Sequence, residues 1–139
     1  MFKKILSVVM VIVLCCSLGL TANAQSISTS DSSVQPRYDY TSTISTTLVN
    51  SNGKASCNTT VKGYSGITTK IKITMILQKK TLLWWSEAET WTVTANDYIA
   101  SLSKTASVNS GKYRIKAEIV VYSGSASESI TKYSSEKEF

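Results

Sequence analysis

Residues 70–78 read KIKITMILQ, and their pattern decides the fold class. Apolar side chains occupy every second position, at Ile71, Ile73, Met75 and Leu77, and mostly polar side chains lie between them. A period of two places the first set on one face of a β-strand and the second set on the other face. One apolar and one largely polar face are typical of a strand in an antiparallel sheet that has one wet side.

The same alternation extends outward in both directions, and turn-forming residues interrupt it about every ten positions. The strand predicted before this one presents Ala55, Cys57, Thr59 and Val61 on a single face. The turn at residues 50–53 reads NSNG, and Asn-Gly favours a tight hairpin. About seven short strands in roughly 100 residues predict an all-β, immunoglobulin-like sandwich of two antiparallel sheets. The sixth of these strands has the apolar face Tyr113, Ile115, Ala117, Ile119 and Val121.

The region after this central strand is less regular. We expect residues 79–84 to form a connection and residues 85–93 to form a fourth strand. Glu87 and Glu89 share parity with the apolar residues of that strand, which predicts a bulge or an edge position. At the end of the chain we expect a polar last strand, followed by a charged tail at residues 134–139.

The N-terminus has the pattern of an export signal. Lys3 and Lys4 precede an apolar run at residues 5–20, and Ala22-Asn23-Ala24 follows it. This order of charge, apolar core and A-x-A site is typical of a secretory signal peptide, so we expect cleavage after Ala24 and a secreted, extracellular product.

A membrane anchor and a lipoprotein are the alternatives to a cleaved leader. The apolar run has about 16 residues, whereas roughly 20 are needed to cross a bilayer. Cys15 and Cys16 lie inside that run, without small residues just before them. We therefore expect no transmembrane span in the mature chain.

The chain then divides into three parts. Residues 1–24 are the predicted signal peptide, residues 25–36 a flexible Ser-rich linker, and residues 37–139 the β-sandwich domain. A chain of this length suits one domain that can fold without disulfide bonds. Cys57 is the one cysteine left after cleavage, so it is either a small buried side chain or an exposed thiol that pairs with a partner.

Composition argues against catalysis. The sequence contains no histidine, which excludes Ser-His-Asp and Cys-His triads and zinc sites built from histidine and cysteine. Glu87 and Glu89, two apart on a strand and hence on one face, could form a carboxylate pair, but a solvated edge is the simpler interpretation. We expect no enzyme activity, no catalytic residue, no metal and no cofactor.

The charge is modestly basic, with a formal net charge of +6. Its lysines are scattered among acidic residues, whereas nucleic-acid binding requires lysine and arginine clustered on one face. We therefore expect no nucleic-acid partner.

Two resemblances add to this reading. Residues 109–115 read NSGKYRI and resemble the D-x-G-x-Y-x-C pattern of immunoglobulin-type domains, with Ile115 in place of the second cysteine. This resemblance implies that Gly111 forms a tight turn and that Tyr113 is a corner tyrosine, whose hydroxyl bonds to nearby backbone. The chain also resembles a group of short secreted bacterial proteins of unknown function, which share P-R-Y, G-Y-S-G-x-T-T-K, L-Q-K and Y-S-G.

The candidate site is the apolar cluster in the connection between strands three and four. It comprises Leu82, Leu83, Trp84 and Trp85, preceded by Lys79 and Lys80. In one interpretation Leu83 and Trp85 fold back under the sandwich and Trp84 alone is half exposed. In the other, the cluster is a surface that stacks on sugar rings, enters a membrane interface or anchors a protein partner. Trp91 is assigned to the core.

These observations predict a secreted, non-enzymatic binding or adhesion-type module whose ligand is unknown. It would contact a cell-envelope glycan or a protein through the aromatic loop. The alternative is a secreted membrane-active or antagonistic cationic protein.

Overall fold

The computed structural model describes residues 37–139, so the predicted signal peptide and linker lie outside the described residues. Within that range all regular secondary structure is β-strand. The strands are β1 (Thr41–Ser51), β2 (Lys54–Gly63), β3 (Lys70–Lys80), β4 (Trp85–Ala95), β5 (Ile99–Ser107), β6 (Lys112–Ser123), β7 (Ala126–Tyr133) and β8 (Lys137–Glu138).

The strands form two antiparallel sheets, as predicted. One sheet has the order β1-β2-β5, and the other has the order β4-β3-β6-β7, with β8 also paired to β6. The chain passes from the first sheet to the second after β2, returns after β4, and crosses again after β5. The two sheets share a single hydrophobic core, because buried residues of both belong to one cluster.

Burial of side chains along the strands follows the period-two pattern of the sequence. Ile71, Ile73, Met75 and Leu77 are fully buried, which confirms the inner face predicted for β3. The prediction of a wet outer face is wrong at one end of this strand, because Ile76 and Gln78 are also buried. The matching faces of β2 and β6 are confirmed, and their buried residues are Ala55, Cys57, Thr59, Val61, Tyr113, Ile115, Ala117, Ile119 and Val121.

The β1–β2 hairpin closes at the predicted Asn-Gly turn. Asn52 has a φ of 54° and Gly53 a φ of 76°. Two consecutive positive φ angles give the turn a twist that matches the flanking strands. Asn50 supports it, because its Oδ1 accepts a hydrogen bond from the Gly53 N–H at 3.0 Å.

Strand β4 is both bulged and at an edge. Glu89 pairs with Leu77 and Glu87 with Gln78, so Ala88 is an extra residue opposite β3. Because Leu77 and Gln78 point to opposite faces, the bulge separates the two glutamates. The expectation that they share one face is therefore wrong, whereas the bulge and the edge position are confirmed. Trp91, beyond the bulge, packs against the core as predicted.

The C-terminal residues form more than a charged tail. Lys137–Glu138 is strand β8, which pairs with the beginning of β6. Ser134 is buried, and its Oγ accepts the Ile115 N–H at 2.8 Å, in place of a backbone carbonyl. Phe139 exchanges backbone hydrogen bonds with Gly111. Strand β7 ends before it reaches this part of β6, so the tail supplies the partners that the exposed edge would otherwise lack.

Strand β3 is longer than the sequence predicts. Strand β3 continues to Lys80, so Lys79 and Lys80 are strand residues and not part of the connection. The connection comprises residues 81–84.

A carboxylate ties the two sheets together at the beginning of the domain. Glu128 of β7 accepts hydrogen bonds from the backbone N–H groups of Asp39 and Tyr40, at 2.9 and 3.0 Å. It also accepts the Thr41 hydroxyl at 2.6 Å. Charge-assisted hydrogen bonds of this kind are stronger than neutral ones, so the entry of β1 is attached to the opposite sheet.

Tyr113 joins the loop before β6 to the core. Its hydroxyl donates to the Asn109 carbonyl at 3.0 Å, and its ring packs edge-on against Phe139 with centroids 5.4 Å apart. The ring is buried within the core cluster. One side chain thus fixes both the β5–β6 connection and the C-terminal segment.

We predict that Tyr113→Phe lowers the free energy of unfolding by about 1 kcal/mol, because it removes this one hydrogen bond and keeps the ring. Urea denaturation measures the change. Tyr122→Phe is the matched control, since Tyr122 lies on the same strand and its ring contact with Lys70 needs no hydroxyl. Equal stability of Tyr113→Phe and wild type would contradict the prediction.

Cys57 is buried, which decides between its two interpretations in favour of a small core side chain. Its Sγ lies 3.8 Å from the Ala55 carbonyl oxygen. Desolvation by burial raises the pKa of the Cys57 thiol to about 11. An unfolded thiol ionises near its ordinary pKa of about 8.5, so the unfolded state loses this proton at lower pH than the folded state does.

We predict that Cys57, in a chain that comprises residues 25–139, resists an aromatic disulfide reagent at pH 8 and reacts fully after unfolding in guanidinium chloride. The folded thiol is both protonated and inaccessible, whereas thiol exchange requires an accessible thiolate. Absorbance of the released thiolate measures the reaction. Fast, complete labelling of the folded protein would show that Cys57 is exposed.

Candidate functional site

The connection between β3 and β4 places three large apolar side chains in solvent. Leu82 is 100% exposed, Leu83 84% and Trp84 64%. We refer to these three residues as the hairpin tip. A contiguous group of exposed apolar side chains marks a candidate interaction surface.

Thr81 holds the hairpin tip in place. Its backbone N–H and its hydroxyl both donate to the Trp84 carbonyl, each at 2.8 Å. The Trp84 N–H donates back to the Thr81 Oγ1 at 3.2 Å. Neither leucine has a positive φ, so the turn is not of the primed type that usually closes a two-residue hairpin. Thr81 Oγ1 instead accepts the Trp84 N–H, which in a primed turn would bond to the backbone.

The interpretation in which Leu83 and Trp85 fold back under the sandwich is wrong. Lys80 pairs with Trp85 across the hairpin, so four residues make the whole connection. A loop this short cannot return the Leu83 side chain to the core. Trp85 is partly buried, but on the outer face of the sheet, because the bulge in β4 reverses the faces of the residues that precede it.

The two lysines beside the hairpin tip do not act together. As consecutive residues of β3 they point to opposite faces of the sheet. The Lys79 Nζ lies 5.6 Å from the centre of the Tyr113 ring, on the core side. The Lys80 Nζ lies 5.9 Å from the centre of the Trp85 ring, on the outer face. The structure therefore does not join them into one positive patch.

The structure reveals a cluster that the sequence did not predict. The guanidinium carbon of Arg114 lies 4.2 Å from the centre of the Trp85 ring and 4.4 Å from that of the Tyr133 ring. Arg114 also donates from Nε to the Gln78 Oε1 at 2.9 Å. We call these four residues the Arg114 cluster. It buries Gln78 and lies on the outer face of the five-stranded sheet.

Two lysines near this cluster already pair with carboxylates. Lys116 contacts Glu118 at 2.6 Å, and Lys112 lies 3.4 Å from Glu138 and 3.6 Å from Glu136. The hydrogen bond with Glu118 raises the pKa of Lys116. These lysines are therefore engaged by carboxylates within the chain.

Among residues 37–139, no group of three or more histidine, cysteine, aspartate or glutamate side chains is arranged to hold a metal ion. The same residues contain no helix long and apolar enough to cross a membrane. Leu82, Leu83 and Trp84 are consecutive and are the most exposed large apolar residues of this range, so the hairpin tip, with the adjoining Arg114 cluster, is the candidate surface for contact with another molecule.

No protein-family model matches the sequence, and comparison with curated proteins gives no match.

Proposed function

We propose that the protein is a secreted, non-enzymatic binding module of the immunoglobulin-like type that contacts a partner protein through the hairpin tip. The observation that carries the proposal is the exposure of Leu82, Leu83 and Trp84 together at the end of a short hairpin. Each large apolar side chain gains roughly 1.5–3 kcal/mol when it is fully buried. Three adjacent ones fixed by Thr81 provide a compact anchor for an apolar pocket.

Strand order supports the immunoglobulin-like part of the proposal. In the constant-type domain the first, second, fourth and fifth strands share a sheet, and the third, sixth and seventh strands form the other. Here β1, β2 and β5 share one sheet, and β3, β6 and β7 share the other. Strand β4 departs from this order, because it pairs with β3. The hydrogen bond from Tyr113 to Asn109 has the form expected of a corner tyrosine.

Export supports the extracellular part. The sequence of charge, apolar run and Ala22-Asn23-Ala24 is the pattern that a signal peptidase recognises. A β-domain that needs no disulfide can fold after export, since its single described cysteine belongs to the core.

A protein partner fits the hairpin tip better than a glycan does. Sugar recognition by a tryptophan pair would need two free ring faces, but Arg114 and Lys80 lie 4.2 and 5.9 Å from the centre of the Trp85 ring, which leaves Trp84 alone. Leucines offer sugars neither hydrogen bonds nor a flat face. Aromatic and large apolar side chains with a charged rim are instead typical of the anchor residues of protein interfaces.

Membrane association is the second candidate. An apolar tip and a net positive charge favour it, and the two charges of Lys3 and Lys4 leave with the predicted leader. Binding to anionic lipid usually requires several lysines or arginines clustered near the surface. Around the hairpin tip, however, Lys79 faces Tyr113, and Glu87 lies on the same face as Trp85.

We predict that Leu83→Ser combined with Trp84→Ser weakens retention of the secreted protein on intact producing cells by roughly 30-fold, equivalent to about 2 kcal/mol of anchor energy. The binding isotherm of fluorescently labelled protein measures this. Protease treatment of the cells beforehand should abolish retention of the wild type.

Ile67→Ser is the matched control, because Ile67 is an exposed apolar residue at the other end of β3. It should bind as the wild type does. Equal retention of wild type and tip variant would refute the role of the hairpin tip. If the protein bound purified wall polysaccharide and not protease-sensitive sites, the partner would be a glycan. If it bound anionic liposomes instead, the partner would be a membrane.

A further inference from the structure

The Arg114 cluster holds the guanidinium group of Arg114 in place but leaves most of its hydrogen-bond donors unused. Two aromatic rings, Trp85 and Tyr133, lie within 4.2 and 4.4 Å of its carbon. Gln78 accepts one hydrogen bond, and that bond uses Nε. Guanidinium has five N–H donors, so the four on the two Nη atoms point away from the Gln78 contact.

Within residues 37–139, no carboxylate lies within 4.0 Å of Arg114 in an ion pair, and no acceptor takes a hydrogen bond from its Nη atoms. The neighbouring cations differ in this respect, because Lys112 and Lys116 both contact glutamates. Arg114, held by two rings and Gln78, is thus an oriented cation of this face that pairs with no carboxylate among residues 37–139.

We propose that the Nη fork of Arg114 is a binding site for a carboxylate of the partner protein, an inference that rests on the proposed function. The fork of an arginine matches the two oxygens of a carboxylate and can bind it through two parallel hydrogen bonds. The aromatic rings hold the guanidinium before the ligand arrives, which reduces the ordering cost of binding.

The position of the cluster connects it to the hairpin tip. Trp85 follows Trp84 directly in the chain, and it forms one of the two aromatic contacts of Arg114. A partner that receives the hairpin tip in an apolar pocket would therefore bring its adjoining surface to the Arg114 fork. We infer that this adjoining surface carries a glutamate, an aspartate or a terminal carboxylate.

The surrounding charges favour a singly charged anion over a phosphate-rich surface. Glu87 lies on the same face, opposite Gln78 of β3, and has no ion pair among the described residues, whereas Lys116 compensates the charge of Glu118. The negative charge of Glu87 repels a phosphate group more strongly than it repels a carboxylate. A lipid surface with many phosphates would in turn meet Arg114 and Lys80 beside Glu87, and not the cluster of several basic residues that anionic lipid usually requires.

The test uses the fact that the sequence has two arginines, Arg37 and Arg114. Secreted protein labelled with ¹⁵N at arginine gives one Nε–H signal for each. We expect sodium acetate, titrated against sodium chloride at constant ionic strength, to shift the Arg114 signal along a saturating curve. The exposed Arg37 serves as the internal control, and its signal should move little and linearly.

Variants separate a binding fork from a structural contact. Tyr133→Leu should weaken the acetate response by roughly two- to fivefold, because one ring that orients the guanidinium is lost. Tyr122→Leu, which removes a ring away from Arg114, should leave it unchanged. Glu87→Gln should strengthen acetate binding, since it removes a competing negative charge.

Two outcomes would overturn the proposal. If the Nε–H signals of Arg37 and Arg114 shifted in parallel without saturating, Arg114 would have only a structural role in the sheet. A tighter response to inorganic phosphate than to acetate would replace the carboxylate with a phosphate group. The tip variant Leu83→Ser with Trp84→Ser should keep the acetate response. A retained response together with unchanged cell retention would refute the proposed function and leave the anion site standing.

Discussion

Complete burial of one face of β3 is the constraint on which the rest of the structure depends. This strand pairs with β4 on one side and with β6 on the other, and Ile71, Ile73, Met75 and Leu77 are inaccessible to water. Such burial requires a second sheet above that face, which β1, β2 and β5 supply. Slipping the register by one residue would turn these four side chains to solvent, so the pairing on both sides is strongly specified.

The placement of the exposed apolar residues depends on where β3 ends. Its continuation to Lys80 leaves only four residues before β4 begins, and apolar residues in so short a connection cannot reach the interior. The bulge at Ala88 then turns Trp85 outward, toward Arg114 and Tyr133. The exposed hairpin tip and the Arg114 cluster are thus two results of one local geometry, which explains why they adjoin.

Sequence could predict what depends on local periodicity. The inner faces of β2, β3 and β6, the Asn52-Gly53 turn and the irregularity of β4 are all encoded within a few residues of one another. The Arg114 cluster could not be predicted from the sequence, because it depends on which residue of β3 lies opposite Arg114. This cross-strand register is a property of the assembled sheet. The pairing of Lys137 with Tyr113 was missed for a related reason, since polar tail residues carry no burial pattern. Exposure of Leu83 could have been inferred only if the true end of β3 had been known.

The attachment of residues 39–41 to Glu128 also has a mechanical consequence. Glu128 pairs across from Val121, near the end of β6, whereas Phe139 bonds to Gly111 before the beginning of that strand. The two ends of the domain therefore lie at opposite ends of the sheets. A pulling force applied between them would load β1 and the β7–β8 edge lengthwise, so that many backbone hydrogen bonds share the tension and none has to rupture alone.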